Sequence, residues 1–229
     1  LNQGRFISFV LFFSEPMVTK NVSKNMTNSS AQLSWFQRVE RMHPYETLLY
    51  LGIIGSGIIF IFLVLAFLFS GLNQLAGLNK HIPIAFLIST FLLILSSYTA
   101  TQMRLYYQEE RTDRLISSLR NTLALGIIFT LLQFIGWYEL NQMGVDFQGI
   151  PSGSFLYLLS GIHIFHLVGA MIFAAILLIQ IRNQKADDIQ NLILITNPYE
   201  KMRIRLFTFY WHFMDLVWLI LFALFALSF

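Results

Sequence analysis

The stretch FYWHFMDLVWLILFALFALSF, residues 209–229, decides how the whole chain is read. Its composition suits only hydrocarbon, yet it carries His212 and Asp215 between two tryptophans, Trp211 and Trp218. An ionisable group at the centre of a bilayer costs about 2.5–3.5 kcal/mol on insertion scales, so each must face protein and find a partner. The rest of the sequence has to supply those partners at the same depth.

Composition agrees with a membrane setting. Of 229 residues, 56% are hydrophobic, 16% aromatic and 12% charged, with a mean hydropathy of +0.63; soluble domains carry roughly a quarter charged residues. Apolar stretches near 48–69, 82–103, 121–140, 154–180 and 205–228 each meet the length of about 20 residues that a spanning helix requires. The fold expected is all-α: a polytopic bundle of five transmembrane helices over 48–229, preceded by a cytoplasmic or interfacial segment over 1–47.

The net charge of +3 reads as a topology signal and gives no case for nucleic acid. Apart from Lys80, every Lys and Arg lies before the first stretch (Arg5, Lys20, Lys24, Arg38, Arg41), between the second and third (Arg104, Arg111, Arg114, Arg120), or between the fourth and fifth (Arg182, Lys185, Lys201, Arg203, Arg205). The excess of basic residues on alternate loops puts the N-terminus on the cytoplasmic side and the C-terminus outside, in the periplasm. The absence of cysteine excludes disulfides, thiolate metal sites and Cys nucleophiles.

Residues 1–47 combine a short apolar run, GRFISFVLFF, with a polar Asn- and Ser-rich stretch. The run is too short to span and lacks a signal-peptide cleavage pattern. Two readings stand: an interfacial helix or, because the chain opens on Leu1 with Met17 further in, an overlong start over part of 1–30. Trp35, Tyr45 and Tyr50 are placed as interfacial anchors. In the first span, Gly52, Gly55, Ser56 and Gly57 offer a small-residue face for helix packing, within the chain or against a partner. The second span turns hydroxyl-rich towards its end, with Ser96, Ser97, Thr99 and Thr101 as interhelical glue. The connector RLYYQEERTDRLISSLR sets Glu109, Glu110 and Asp113 among arginines; it reads as a solvated charged face or as a surface that gathers protons.

The fourth span holds His163 and His166 three residues apart, on neighbouring positions of one face. The fifth enters from the other side with His212 and Asp215 at the same spacing. At 1.5 Å per residue, His163 and Asp215 each lie roughly 15 Å from their own starting interface. All four groups therefore fall near mid-depth on consecutive antiparallel helices, and the histidines of the fourth span are the expected company for the pair on the fifth. A structural polar cluster, a proton relay, a metal site and a bis-His haem site are all chemically open to such a set. Bulk around His212 counts against a porphyrin, and Asp215 as sole carboxylate at that depth counts against a catalytic metal, so no catalytic residue and no metal ligand is assigned.

The residues also carry a resemblance. SGIHIFHLVGA, with Gly161, and FYWHFMDLVWLILF, with Tyr210, Trp211 and Trp218, are similar to the two signature segments of subunit III of the haem–copper oxygen reductases, the cytochrome c oxidase subunit III family. FTLLQFIGWYEL, with Gln133 and Glu139, and the LSSYT run fit the same family, in the right order from about residue 48 to 229. The resemblance implies a five-helix, cofactor-free accessory subunit of a terminal oxidase in a bacterial inner membrane. It implies packing against catalytic subunit I and other oxidase subunits, with a larger respiratory supercomplex as a further setting. Haem and copper would then reside in those partners, and bound phospholipid in this chain. It further implies support of proton uptake and sustained turnover, with an equivalent quinol oxidase or nitric-oxide-reductase subunit as the alternative. An independent bis-His membrane cytochrome is the alternative from another class. Many relatives carry a membrane-buried glutamate in the first of these helices, where GIIGSGIIF has Gly57. Carbodiimide treatment followed by peptide mapping is therefore expected to leave residues 48–69 unlabelled.

Overall fold

The computed structural model describes residues 44–69, 81–149 and 151–228. Most of the expected N-terminal segment, with Trp35, and the loop that holds Lys80 lie outside the described residues. The chain divides into units 1–48 and 49–229, and the account below concerns the second.

Among the described residues the structure is entirely helical: α1 (Pro44–Phe69), α2 (Ile84–Gln108), α3 (Thr112–Gln142), α4 (Pro151–Lys185), α5 (Asp188–Thr196) and α6 (Pro198–Ser228). All but α5 are long and apolar enough to cross a membrane, as the hydropathy pattern requires. Proline sets the starts. Pro44, Pro151 and Pro198 are first residues of helices and Pro83 is an N-cap, positions where a missing N–H breaks no hydrogen bond and a fixed φ suits the first turn.

The helices run beyond the apolar stretches. α2 and α3 absorb nearly all of the charged connector, leaving a turn at Glu109–Arg111. Glu110 takes a left-handed φ of 59° there, and the Arg111 amide donates to the Tyr106 carbonyl at 2.9 Å. A second difference is α5, which lies between the fourth and fifth apolar stretches. The Asp187 carboxylate caps it by accepting from the Ile189 amide at 3.0 Å, Leu194 is buried, and Ile189, Leu192 and Ile193 face outward. This is the pattern of a short helix lying along an interface.

α2, α3, α4 and α6 form a closed ring, each packed on the next and α6 returning to α2. α1 lies on the α4–α6 seam: Phe60 touches His163 and His166 of α4, Phe67 meets Phe225 of α6, and Tyr50 meets Phe209. Its other large apolar side chains, such as Ile54, Ile61 and Phe62, point outward, as lipid-facing residues do.

Close helix approach occurs on α3. A Cβ added at Gly126 would lie 2.9 Å from Trp211 Cη2 and 3.3 Å from Met171 Sδ, and one at Gly136 would overlap the Phe86 ring. The small residues of α1 behave differently. A Cβ added at Gly52 or Gly55 would meet no other helix within 4 Å, one at Gly57 would lie 3.9 Å from Phe213, and buried Ser56 donates to its own helix at the Ile53 carbonyl. Of the two packing roles expected for them, contact within the chain is thus slight, because the tight crossings of the ring run through α3. Gly136→Ala is expected to lower thermal stability of the detergent-solubilised protein by about 1–3 kcal/mol through overpacking. Gly52→Ala, measured by the same melting experiment, should be neutral.

Candidate functional site

A column of hydroxyls on α2 organises the interior. Ser89 and Ser96, like Thr90 and Ser97, stand one heptad apart and therefore share a face. Three of these hydroxyls receive a donor from a neighbouring helix. Trp211 Nε1 donates to Ser96 Oγ at 2.8 Å, Trp218 Nε1 to Thr90 Oγ1 at 3.0 Å, and Gln133 Nε2 to Ser89 Oγ at 2.8 Å. Ser89 and Thr90 in turn donate to the Phe86 carbonyl at 3.0 and 2.8 Å, so single hydroxyls serve as both donor and acceptor. Thr99 Oγ1 lies 2.7 Å from Thr122 Oγ1, and Ser118 donates to the Thr99 carbonyl, joining α2 to α3 lower down. Both indoles are buried. Without water, an indole N–H has to be matched inside the protein.

The same column receives His212. Ser97 Oγ is 2.9 Å from Nδ1, and Thr101 Oγ1 is 3.2 Å from Nε2. Thr101 spends its proton on the Ser97 carbonyl at 3.0 Å, so it can only accept from the ring. That assigns a hydrogen to Nε2 and leaves Nδ1 to accept from Ser97. Asp215 Oδ2 stands 3.6 Å from Nδ1, inside ion-pair range but beyond a hydrogen bond, and makes no hydrogen bond of its own. Asp215 is buried, whereas the His212 side chain is 37% exposed at the bundle surface.

The α4 histidines do not join this network. His163 is fully buried, and neither ring nitrogen makes a hydrogen bond. Its ring is held instead by aromatic faces: Trp218 at 5.3 Å, Phe129 at 5.9 Å and Phe60 at 6.4 Å between centroids. Trp218 thus fills the space beside the imidazole, which leaves no porphyrin slot there. His166 Nδ1 bonds back to the Ile162 carbonyl at 2.8 Å, and its ring packs on Phe60 and Phe165. The expected company for Asp215 comes from α2 and from its own helix. The physical reason is rotational: depth places the two pairs, His163/His166 and His212/Asp215, in one layer, but α6 turns His212 towards Ser97 and Thr101 of α2, and the Trp218 ring lies against His163.

The remaining predicted residues spread along the ring. Gln133 is buried on the hydroxyl column with its Oε1 unbonded. Gly161 lies under the Trp137 ring, whose Nε1 donates to Ser160 Oγ at 3.0 Å. Tyr210 stacks near Phe213, and Glu139 is half-buried near the end of α3. On the connector, Glu109 pairs with Arg111 at 3.4 Å and Asp113 with Lys185, while Glu110 sits at the turn. Sequence reasoning missed Ser89, Thr90, Ser160 and Tyr107. Heptad spacing from Ser96 and Ser97 was the available signal for the first two. Tyr107 Oη lies 2.9, 3.3 and 3.0 Å from the carbonyls of Leu194, Ile195 and Asn197, at the corner where α5 meets α6. Among the described residues no three His, Asp or Glu side chains converge as a metal site.

These geometries can be set beside known proteins. The family described as "Cytochrome c oxidase subunit III" matches residues 45–227, which include every motif residue named above. A protein of Rickettsia prowazekii (strain Madrid E), described as a probable cytochrome c oxidase subunit 3, is 32% identical over 136 residues, 59% of this chain and 45% of the relative. One of Staphylococcus aureus (strain USA300), described as a probable quinol oxidase subunit 3, is 29% identical over 137 residues, 60% of this chain and 63% of the relative. The chain thus covers less than two thirds of either relative's length. It belongs to the cytochrome c oxidase subunit III family, the subunit III of haem–copper and quinol oxidases, and is a multi-pass membrane protein.

Because His163 makes no hydrogen bond, an apolar ring should replace it at little cost. His163→Phe is expected to melt at or above the wild-type temperature, and His163→Ala to lose about 2–4 kcal/mol through the cavity left among the aromatics. Thermal unfolding in detergent, followed by tryptophan fluorescence, reads both.

Proposed function

We propose that this chain is a non-catalytic, cofactor-free accessory subunit of a bacterial respiratory terminal oxidase. It packs against catalytic subunit I, which with its partner subunits holds the haem and copper, and it supports proton uptake and durability during oxygen reduction. The observation that carries this reading is how the motif residues are used. Trp211, Trp218, His163 and His212 are spent on helix-to-helix hydrogen bonds and aromatic packing, so they build a scaffold. In this reading residues 1–47 form a cytoplasmic or interfacial segment and 48–229 the five-helix membrane domain.

The basic ends of α2, α3, α4 and α6 face the cytoplasm in this reading, which puts the C-terminus in the periplasm of an inner-membrane protein. Outward-facing Gly52 and Gly55 on α1 then suit close approach by a partner helix. Phospholipid acyl chains fit the groove of about 280 Å³ between α1 and α6, lined by Gly57, Phe60, Val64, Phe213 and Ile220, which is almost wholly apolar. Glu109, Glu110 and Asp113 at the α2–α3 turn supply carboxylates that can collect protons at the cytoplasmic surface. The quinol-oxidase form is the second reading, favoured by the Staphylococcus relative at comparable identity.

Two measurements test the proposal. Purification in mild detergent should bring down a haem–copper catalytic subunit with this chain, while the separated chain should show no reduced-minus-oxidised Soret band; a Soret band on this polypeptide would overturn the accessory reading. Asp215→Leu removes a buried carboxylate that stands 3.6 Å from His212 Nδ1. It should reduce assembly or speed inactivation during turnover, and leave the initial rate of oxygen reduction close to wild type. Loss of initial rate in a fully assembled complex would instead assign Asp215 a direct part in proton transfer.

A further inference from the structure

A cavity of about 370 Å³ lies away from the polar layer, at the basic end of the bundle, where α2 ends and α6 begins. Arg104, Lys201 and Arg205 line it, together with Tyr107, Gln108 and Pro198. All three cations are exposed, and the charged ends of Arg104 and Lys201 have no ion-pair or hydrogen-bond partner among the described residues.

Nearby carboxylates do not balance these charges. Glu200 holds Arg203 in a two-pronged pair at 3.1 Å, on the α4 side of α6, where Arg203 also donates to Gln180. Glu110 lines an adjoining cavity of about 340 Å³, which shares Lys201, Tyr107 and Gln108 with the first. The Tyr107 hydroxyl is committed to carbonyls of the α5–α6 corner, which fixes the floor of the cavity and leaves its donors to the Arg, Lys and Gln side chains. Cations converging on one concave site, two of them unpaired, favour an anion with several acceptor oxygens. Arginine meets such an anion with two parallel N–H donors and lysine with a point charge.

We propose that this cradle binds a phosphate group, with Arg104 and Lys201 as its principal ligands and Gln108 as a neutral donor. Its place beside the starts of spanning helices suits the headgroup of an anionic phospholipid, since basic pockets between membrane helices hold such headgroups. Free inorganic phosphate presents the same oxygens. The site is separate from the apolar α1–α6 groove. It extends the lipid-binding part of the function proposed above to a polar site, and stands or falls without the oxidase assignment.

The test uses the protein in its purified complex, reconstituted in nanodiscs of phosphatidylglycerol mixed with phosphatidylcholine, with the phospholipid retained after detergent exchange quantified by mass spectrometry. Wild type should retain phosphatidylglycerol in preference to phosphatidylcholine. Arg104→Ala and Lys201→Ala should each weaken that preference about 5-fold, and the double variant about 25-fold. Arg114→Ala, an exposed cation outside the cavity, should change nothing. If millimolar inorganic phosphate displaces the lipid, or binds with the same dependence on Arg104 and Lys201 while the lipid does not, the phosphate chemistry holds and the source is the free ion. Equal retention of both lipids by wild type, with no phosphate binding, would overturn the proposal, and that comparison requires no variant to fold. Variants that match Arg114→Ala in every arm would overturn it as well. Failure of the subunit reading would appear separately, in the co-purifying chains.

Discussion

The indole-to-hydroxyl pairs between α6 and α2 are the constraint on which the bundle depends. In a bilayer, lipid tails are as apolar as leucine, so helices gain little by hiding apolar surface from their surroundings. Position along the axis must be fixed by something directional. Trp211 on Ser96 and Trp218 on Thr90 are two such bonds, separated by two turns on each helix. Sliding α6 by one turn would break both, bury two unmatched N–H groups and drive Gly126 away from the indole it accommodates. The depth of His212 and Asp215 follows from that alignment, as does the placing of Trp218 against His163.

Much of this architecture was legible in the sequence, and the limits have physical causes. Five spans could be read because hydropathy integrates over some 20 residues. Their ends could not, because the helices continue past the apolar stretch once charged residues such as Arg104 and Arg182 are in water. α5 escaped because its apolar face is carried by Ile189, Leu192 and Ile193 over only 9 residues, too few for a periodic signal to stand out beside the long spans. The shared depth of the His and Asp residues was readable from distance along the chain. Their partners were not, because rotation about the helix axis is set by packing, and the hydroxyls that meet His212 lie 115 and 111 residues away.

The small-residue face of α1 illustrates the same limit. Gly52, Gly55, Ser56 and Gly57 have the spacing of a close helix crossing, yet the closest approaches use Gly126 and Gly136 on α3. Spacing shows that a backbone is approachable; only the ring order determines who approaches. α1 is the one span outside the closed ring among those described, so its packing partners are the fewest and its surface is the most open to lipid or to another chain.

The Tyr107 hydroxyl gives the fold a sense of direction in time. The carbonyls of Leu194 and Ile195 near the end of α5 and of Asn197 before α6 lie within reach of a hydroxyl carried 87 to 90 residues earlier, and the Asn197 carbonyl also accepts from the Lys201 amide at 3.4 Å. During synthesis α2 is already embedded when that corner emerges from the ribosome. The final elbow therefore closes against a span made earlier, and a chain whose second span is misplaced loses this hydroxyl from the corner.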